Sequence, residues 1–355
     1  MRLEPRAALS RPMLVLAPLA AVAFTLAVCS LLVAWAGAPV GRAYLLLLEG
    51  GFGSRFALTE TLTRATPLIL TGLAAAVAFR ARLYNIGAEG QLHLGALAAV
   101  AVGGQHAEGA LALPAPLGWA LMLAAGAAAG AALLLGPALL RTRLGVDEVV
   151  TTLLLNFVAL LAVSMLLDGP MKDATAMGWP QSVPIAPEFE FGRLVERSRV
   201  HAGLLVALAL AAATWALLRF TTFGLRMRAV GAAARAAAFA GTRVEAVTLR
   251  VALLSGALAG LAGVGEVAGR AGYVTLDMSP GYGYSGIVVA MLAGLHPLGV
   301  VVAAVFVAGV LVGADGMSRT IGVPSYIADV IVAAALLSML VATMSARWRV
   351  RFGRA

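Results

Sequence analysis

Between Phe79 and Gly95 the chain reads FRARLYNIGAEGQLHLG, and within two helical turns it places Asn85, Glu89 and Gln91 among Gly87, Gly90 and Gly95. One long apolar run has just ended at Phe79, Arg80 and Arg82 follow, and the next apolar run is about to begin. Two amides and a carboxylate at the mouth of a hydrophobic segment are costly unless something uses them. Non-helical backbone at bilayer depth survives only where protein or a water-filled cavity satisfies it, and an ionisable residue there points to function. A solvated turn ahead of an ordinary helix is the plainer reading, but it requires none of the three polar side chains.

A second opening of the same kind begins at Ser279, in SPGYGYSGIVVAMLAGLHPLG. Gly281, Gly283 and Gly286 match the spacing of a dinucleotide fingerprint, yet no strand precedes them and no βαβ unit surrounds them, so that match is discarded. What remains is Pro280 with three glycines, Tyr282 and Tyr284 opening a short apolar segment that ends at His296-Pro297. In VDEVVTTLLLNFVALL, Glu148, Thr152 and Asn156 recur every four residues and share one helical face. Asp147 and Glu148 also suit the positive end of a helix. Asn156 lies deeper, where it either lines a cavity or hydrogen-bonds between helices. Glu60 with Arg64, and Glu266 with Arg270, are acid-before-base pairs at i, i+4 and read as structural.

The elements that must position these groups are membrane helices. Of the 355 residues 61% are hydrophobic and 12% charged, which marks a polytopic membrane protein rather than a chain with a soluble core. Apolar runs long enough to cross about 30 Å of hydrocarbon fall near 13–36, 57–79, 85–103, 117–140, 147–167, 202–218, 247–267, 281–295, 298–313 and 324–345. The expected fold is therefore all-α, with about ten transmembrane helices in a single domain spanning 1–355. The run from Met13 to Ala36 exceeds the h-region of a signal peptide and reads as an uncleaved first span.

Basic residues cluster before the first run, at Arg80 and Arg82, at Arg141 and Arg143, from Arg219 to Arg250, and from Arg347 to Arg354. The positive-inside rule then places both termini in the cytoplasm, the proline-rich loop 168–200 outside and the segment 219–245 inside. The same rule accounts for the net charge of +9, and with no aromatic interleaving on a soluble domain the chain is not expected to bind nucleic acid. Spans two to five and seven to ten then run in opposite senses, and the two broken openings occupy corresponding places in an inverted repeat. Such a pair is the sequence pointer to a substrate pathway, here assigned to Asn85, Glu89, Gln91, Asn156, Tyr282 and Tyr284. Inside, the alanine-rich stretch from Met227 to Ala240, bounded by Gly224 and Gly241, reads as one short helix parallel to the membrane. It is either an interfacial anchor or, having few large apolar residues, a piece that fits a groove in another protein.

Several chemistries find no support. Cys29 is the only cysteine, and His93, His106, His201 and His296 stand far apart, so neither a disulfide nor a metal-ligand spacing occurs. Ser255 and Ser285 have no His and Asp constellation. No metal site, resident cofactor or catalytic residue is expected.

With these residues in view, the chain resembles the permease subunits of bacterial ABC importers for nucleosides and simple sugars. The resemblance covers about residues 60 to 345 and rests on FRARLYNIGAEGQ at 79–91, GVDEVVTTLLLN at 145–156, GLRMRAVGAAARAAAFAG at 224–241, LLSGALAGLAG at 253–263 and GYGYSGIVVAMLAGLHPLG at 281–299. It implies a multi-pass subunit of the bacterial inner membrane that pairs with a second, often non-identical permease chain. It further implies an ABC ATPase subunit that binds the ATP, and a periplasmic or lipid-anchored substrate-binding protein. The 224–241 stretch matches the region coupled to the ATPase, which assigns coupling to Arg226, Arg228, Gly231, Arg235 and Gly241. There the family usually has Asn-Pro and an acidic residue, where this chain has Ala233, Ala234 and Arg235; Arg82 stands where a small residue is usual. A neutral solute follows, with a purine nucleoside favoured because amides and tyrosines can hydrogen-bond to and stack on a base. A simple sugar or riboflavin-like solute is the alternative within the family, and an ion-coupled secondary transporter the alternative outside it.

Overall fold

In the computed structural model the described residues are 2–5, 23–31, 33–105, 113–322 and 348–351, with isolated positions between 330 and 341. Eleven helices are named here: α1 (Val40–Phe52), α2 (Arg55–Arg80), α3 (Ala88–Gly103), α4 (Ala115–Leu144), α5 (Glu148–Asp168), α6 (Gly203–Phe220), α7 (Thr222–Ala232), α8 (Ala234–Phe239), α9 (Val244–Glu266), α10 (Tyr282–Leu292) and α11 (Pro297–Ile321). A four-residue antiparallel ribbon pairs β1 (Arg2–Pro5) with β2 (Trp348–Arg351).

Among the described residues six helices are long and apolar enough to cross a bilayer, or seven if the bent pair Ala23–Trp35 and Val40–Phe52 forms one span. The expectation of ten is thus met in part. The runs at 57–79, 117–140, 147–167, 202–218 and 247–267 become α2, α4, α5, α6 and α9, and 298–313 lengthens into α11. The runs at 85–103 and 281–295 become α3 and α10, of 16 and 11 residues; at 1.5 Å per residue α10 extends only about 16 Å. The 324–345 run and the start of the 13–36 run lie outside the described residues. Helix α1 was not anticipated, because Gly41, Arg42, Glu49 and Gly50 break up its apolar pattern.

Chain contacts divide the protein into two compact units, Met1–Thr61 with Phe306–Ala355, and Leu62–Val305. In the first, Cys29, Val33, Ala43, Leu47, Ala314 and Met317 form one buried cluster, and Thr61 Oγ1 donates to the Gly51 carbonyl at 2.8 Å.

The second unit holds every residue assigned above to the pathway or to coupling. Its centre is a bundle of α3, α4 and α9. The backbones of α4 and α9 approach so closely at Gly130 and Gly256 that a Cβ on either would strike the other's carbonyl oxygen, the small-residue contact that drives helix association in lipid. Helix α2 is also interior: 83% of its apolar window is buried, against 22% for α5 and 28% for α6, which turn large apolar side chains outward.

The helix boundaries have local causes. Asp147 caps α5 by accepting from Val149 N at 2.8 Å, and Thr221 caps α7 by accepting from Gly224 N at 3.1 Å. Helix α4 ends at Gly145, which adopts φ +68°, with Arg141 and Arg143 in its last turn. Helix α9 continues into a π-helical turn, Val267–Ala271, closed by Gly272 at φ +80°.

Candidate functional site

The first broken opening lies between α2 and α3. Its backbone is completed from α5, whose face of Glu148, Thr152 and Asn156 runs along it. Tyr84 N donates to Glu148 Oε1 at 3.2 Å, Ile86 N to Thr152 Oγ1 at 3.2 Å, and Gly90 N to Asn156 Oδ1 at 2.9 Å. Asn156 Nδ2 donates back to the Ile86 carbonyl at 2.8 Å. Asn85 and Gln91 form a reciprocal amide pair, with Asn85 Nδ2 to Gln91 Oε1 at 3.0 Å and Gln91 Nε2 to Asn85 Oδ1 at 2.9 Å. Asn85 Oδ1 also accepts from Gly87 N, and its Nδ2 reaches Ser255 Oγ at 3.1 Å. Glu148 is held in turn by Arg141, whose Nη1 also donates to the Arg82 carbonyl, both at 2.6 Å. Thus the non-helical backbone between α2 and α3 finds much of its hydrogen bonding in side chains of the protein, the condition for such a segment within a bilayer.

The second opening meets the first. Glu89 Oε2 accepts from Gly283 N at 2.6 Å, and a Cβ at Gly283 would collide with the backbone of Ala88 and Glu89. One carboxylate therefore sits where the N-termini of α3 and α10 converge, each contributing a positive dipole end. Two further contacts position α10. Thr71 Oγ1 of α2 lies 3.0 Å from the Tyr282 carbonyl, and Asn156 Nδ2 donates to Tyr284 Oη at 3.1 Å. Gly281, in the left-handed region at φ +84°, begins the helix, and Ser279 Oγ accepts from Tyr282 N at 3.0 Å.

All six assigned pathway residues are therefore gathered in one place. Their exposures differ: Asn85, Gln91, Asn156 and Tyr282 are at most 1% exposed and Glu89 4%, whereas Tyr284 is 39% exposed. In this conformation the amides face one another and the backbone, and the open ring is that of Tyr284. Tyr84, also partly open, packs edge-on against Phe79 at 5.2 Å. Thr71 and the bridging role of Ser255 were not read from the sequence. Their partners lie more than a hundred residues away, and no local spacing marks them.

Beside the end of α2, the stretch read as one helix from Met227 to Ala240 is two, α7 and α8. They are separated at Ala233, whose φ of −154° and ψ of 94° are extended. No side chain caps α8 there, in keeping with an alanine where an asparagine would cap. Arg226, Arg228 and Arg235 are exposed, and Phe239 is 98% exposed. Arg228 Nη1 nonetheless donates to the Leu218 carbonyl. Gly231 is buried against the Arg80 carbonyl with no room for a Cβ, and Gly241 turns the chain at φ +82°. A cleft of 480 Å³ lies beside these helices, lined by Arg82, Arg141, Val230, Ala234, Glu245 and Thr248 among others.

The 168–200 loop packs onto the approach to α10. Ser182 N donates to the Val274 carbonyl at 3.0 Å and Ser182 Oγ accepts from Val274 N at 2.8 Å, while Phe191 N donates to the Ala268 carbonyl at 2.8 Å. Nearby, Arg270 pairs with the fully buried Glu266 and donates to the Met278 carbonyl at 3.0 Å. His201 closes the loop, stacked on Phe191 and accepting at Nδ1 from Gly203 N at 3.2 Å. Burial, and secondarily the charge of Arg270, pushes its imidazole down to about 4.

Interior helices with two interrupted segments held entirely by protein groups define a multi-pass α-helical membrane protein. The family model for the permease component of the branched-chain amino acid transport system matches residues 57–344, and the chain belongs to that family. That family is one of transport permease components. It is 39% identical over 318 residues to the glucose ABC transporter permease protein TsgB13 of Haloferax volcanii, covering 87% of this chain and 82% of that protein. It is 36% identical over 326 residues to the guanosine ABC transporter permease protein NupP of Bacillus subtilis, covering 91% and 92% respectively. A second guanosine permease of that organism, NupQ, is 30% identical over 254 residues, covering 69% of this chain and 77% of its own length. No solved structure matches the chain.

Proposed function

We propose that this chain is the permease subunit of an ATP-driven importer and forms part of the route by which a neutral polar solute, in the first instance a purine nucleoside, crosses the cytoplasmic membrane. The full-length similarity to NupP carries this reading. The existence of NupP and NupQ in one organism supports a second, non-identical permease partner. An ATPase subunit that binds the ATP and a separate solute-binding protein complete the assembly. The ten-helix arrangement, the inverted repeat of spans two to five and seven to ten, the outer placement of loop 168–200 and the cytoplasmic placement of both termini and of α7–α8 belong to the same proposal.

The chemistry of the junction favours an uncharged solute. Its one carboxylate, Glu89, is engaged by the Gly283 amide, so the group left open to a passing molecule is the Tyr284 ring with its phenolic edge, suited to stacking on a base or a sugar face. A sugar is the second reading, supported by the likeness to a glucose permease.

The test is reconstitution of the chain with the ATPase, permease and binding protein encoded beside it, followed by uptake of labelled guanosine, glucose and riboflavin with and without ATP. ATP-dependent guanosine uptake in excess of the other two is expected. Glucose uptake would shift the solute to the second reading. Uptake that needs an ion gradient and no ATP would replace the proposal with a secondary transporter.

A further inference from the structure

Helix α10 is gripped at both ends by one neighbour. At its start Thr71 of α2 lies 3.0 Å from the Tyr282 carbonyl. At its end Arg80, the last residue of α2, directs both Nε and Nη2 onto the Leu295 carbonyl at 3.2 and 2.9 Å. Nine residues of α2 advance about 14 Å, close to the roughly 16 Å length of α10, so the two helices run side by side in the same direction between the two ties. The receiving carbonyl is unusual. Leu295 adopts φ +62° and Gly294 φ +57°, a left-handed turn in which Leu295 N donates to the Ala290 carbonyl at 2.8 Å and closes α10. A side chain is strained in that conformation, so the turn depends on its surroundings, and the Arg80 fork is what meets it.

The same arginine is the contact point of α7. A Cβ at Gly231 would drive into the Arg80 carbonyl and come within 3.4 Å of the Ala81 Cα. Arg228, one turn earlier on α7, is fastened to Leu218 and lies within electrostatic reach of Arg80. Backbone against backbone, with no side chain between to yield, transmits displacement stiffly.

We propose that Arg80 is a positioning residue that converts movement of α7 into movement of α10. Its carbonyl is the surface that α7 bears upon, and its guanidinium holds the turn at 294–295. A shift of α7 carries the end of α2 with it, and both ties carry α10, hence the junction at Glu89 and Gly283. The fork matters as much as the charge, since two donors converging on one oxygen fix direction as an ammonium does not. The inference rests on the proposed role of α7–α8 as the segment that receives the ATPase stroke, but the mechanical link can be measured in the chain alone.

The experiment is hydrogen–deuterium exchange on the full chain in nanodiscs, comparing wild type, Gly231→Ala and Arg80→Lys. Gly231→Ala is expected to raise exchange of the amides of 290–296 by about tenfold, although that segment does not touch it, and Arg80→Lys to do the same. Combining the two changes should add little, because they act through one contact. If Gly231→Ala disturbs only 79–82 and 228–232, the relay is overturned. If Gly231→Ala does not insert, Arg80→Lys decides the matter through 227–232, whose exchange must rise together with 290–296, because coupling is reciprocal. In the reconstituted transporter, Arg80→Lys should lower uptake about tenfold while ATP hydrolysis stays within about twofold. Uptake unchanged beside raised exchange would make Arg80 a structural tie and sink the relay. Absence of ATP-driven uptake in the wild type would sink the proposed function instead, and leave the exchange result standing.

Discussion

At the α3 opening the backbone is completed largely by side chains of one other helix, whereas the α10 opening takes one bond each from α2, α3 and α5. Glu148, Thr152 and Asn156 of α5 serve Tyr84, Ile86 and Gly90, and the Asn85–Gln91 pair closes on itself. For α10 the partners are Glu89, Thr71 and the distal amide of Asn156. The first is a fixed piece built from redundant buried bonds. The second rests on fewer bonds, each from a different helix. Two segments that look alike in sequence thus differ in which of them needs the other, and the dependence runs from α5 through α3 to α10.

The most severe way to break this order is Asn156→Leu. It strands the Gly90 amide and the Ile86 carbonyl and also releases Tyr284, so a loss of about 3 kcal/mol in stability is expected, read as a lowered unfolding temperature in detergent. Exchange should rise at both 82–91 and 281–286. Glu89→Ala is milder, about 2 kcal/mol, because it frees one amide and one helix end. It should loosen 281–286 and leave 82–91 protected. Equal loosening of both segments by Glu89→Ala would show that the α3 opening depends on α10 after all, and the order proposed above would fail.

The 168–200 loop binds the segment leading into α10, through Ser182 and Val274, and His201 sharpens the comparison because it can be titrated. Its imidazole is 1% exposed and pushed down to about 4 from an ordinary 6.5, by burial first and Arg270 second. The unfolded chain therefore takes up a proton that the folded chain refuses. Stability is full above about pH 6.5, falls by roughly 3 kcal/mol as pH drops toward 4, and is constant with respect to this group below that. Melting curves across that window should show the slope in wild type and a flatter one in His201→Gln. Protection at 272–278 should fade with it while 82–91 stays closed.

Much of this arrangement was legible in the residues. The four-residue spacing of Glu148, Thr152 and Asn156 announced a polar face, and the two glycine-rich openings announced interrupted segments. What that face is for was not legible, because its partner backbone lies 64 to 70 residues away and local periodicity carries no information about it. Asn156 left two uses open, and the structure makes it a link between elements. The break at Ala233 leaves no trace in this chain's residue types, and only the resemblance, with Asn-Pro at this place, pointed to a helix start there. Arg80 was read as a charge marking the inner side of the membrane, a role many arginines fill without bonding to anything.

Arg82, two residues past the end of α2, stands in the left-handed region at φ +55°. Its carbonyl accepts from Arg141, and its side chain is exposed. The side chain therefore adds strain without a buried contact to offset it. Arg82→Gly removes a penalty of about 1–2 kcal/mol in the folded chain, and the greater freedom of glycine when unfolded returns about half of it. A net gain of about 0.5–1 kcal/mol is expected, visible as a small rise in unfolding temperature with exchange at 82–91 unchanged or slower. A loss of stability would mean that the exposed guanidinium contributes to holding the α3 opening, and that the fixed segment draws support from outside the α5 face.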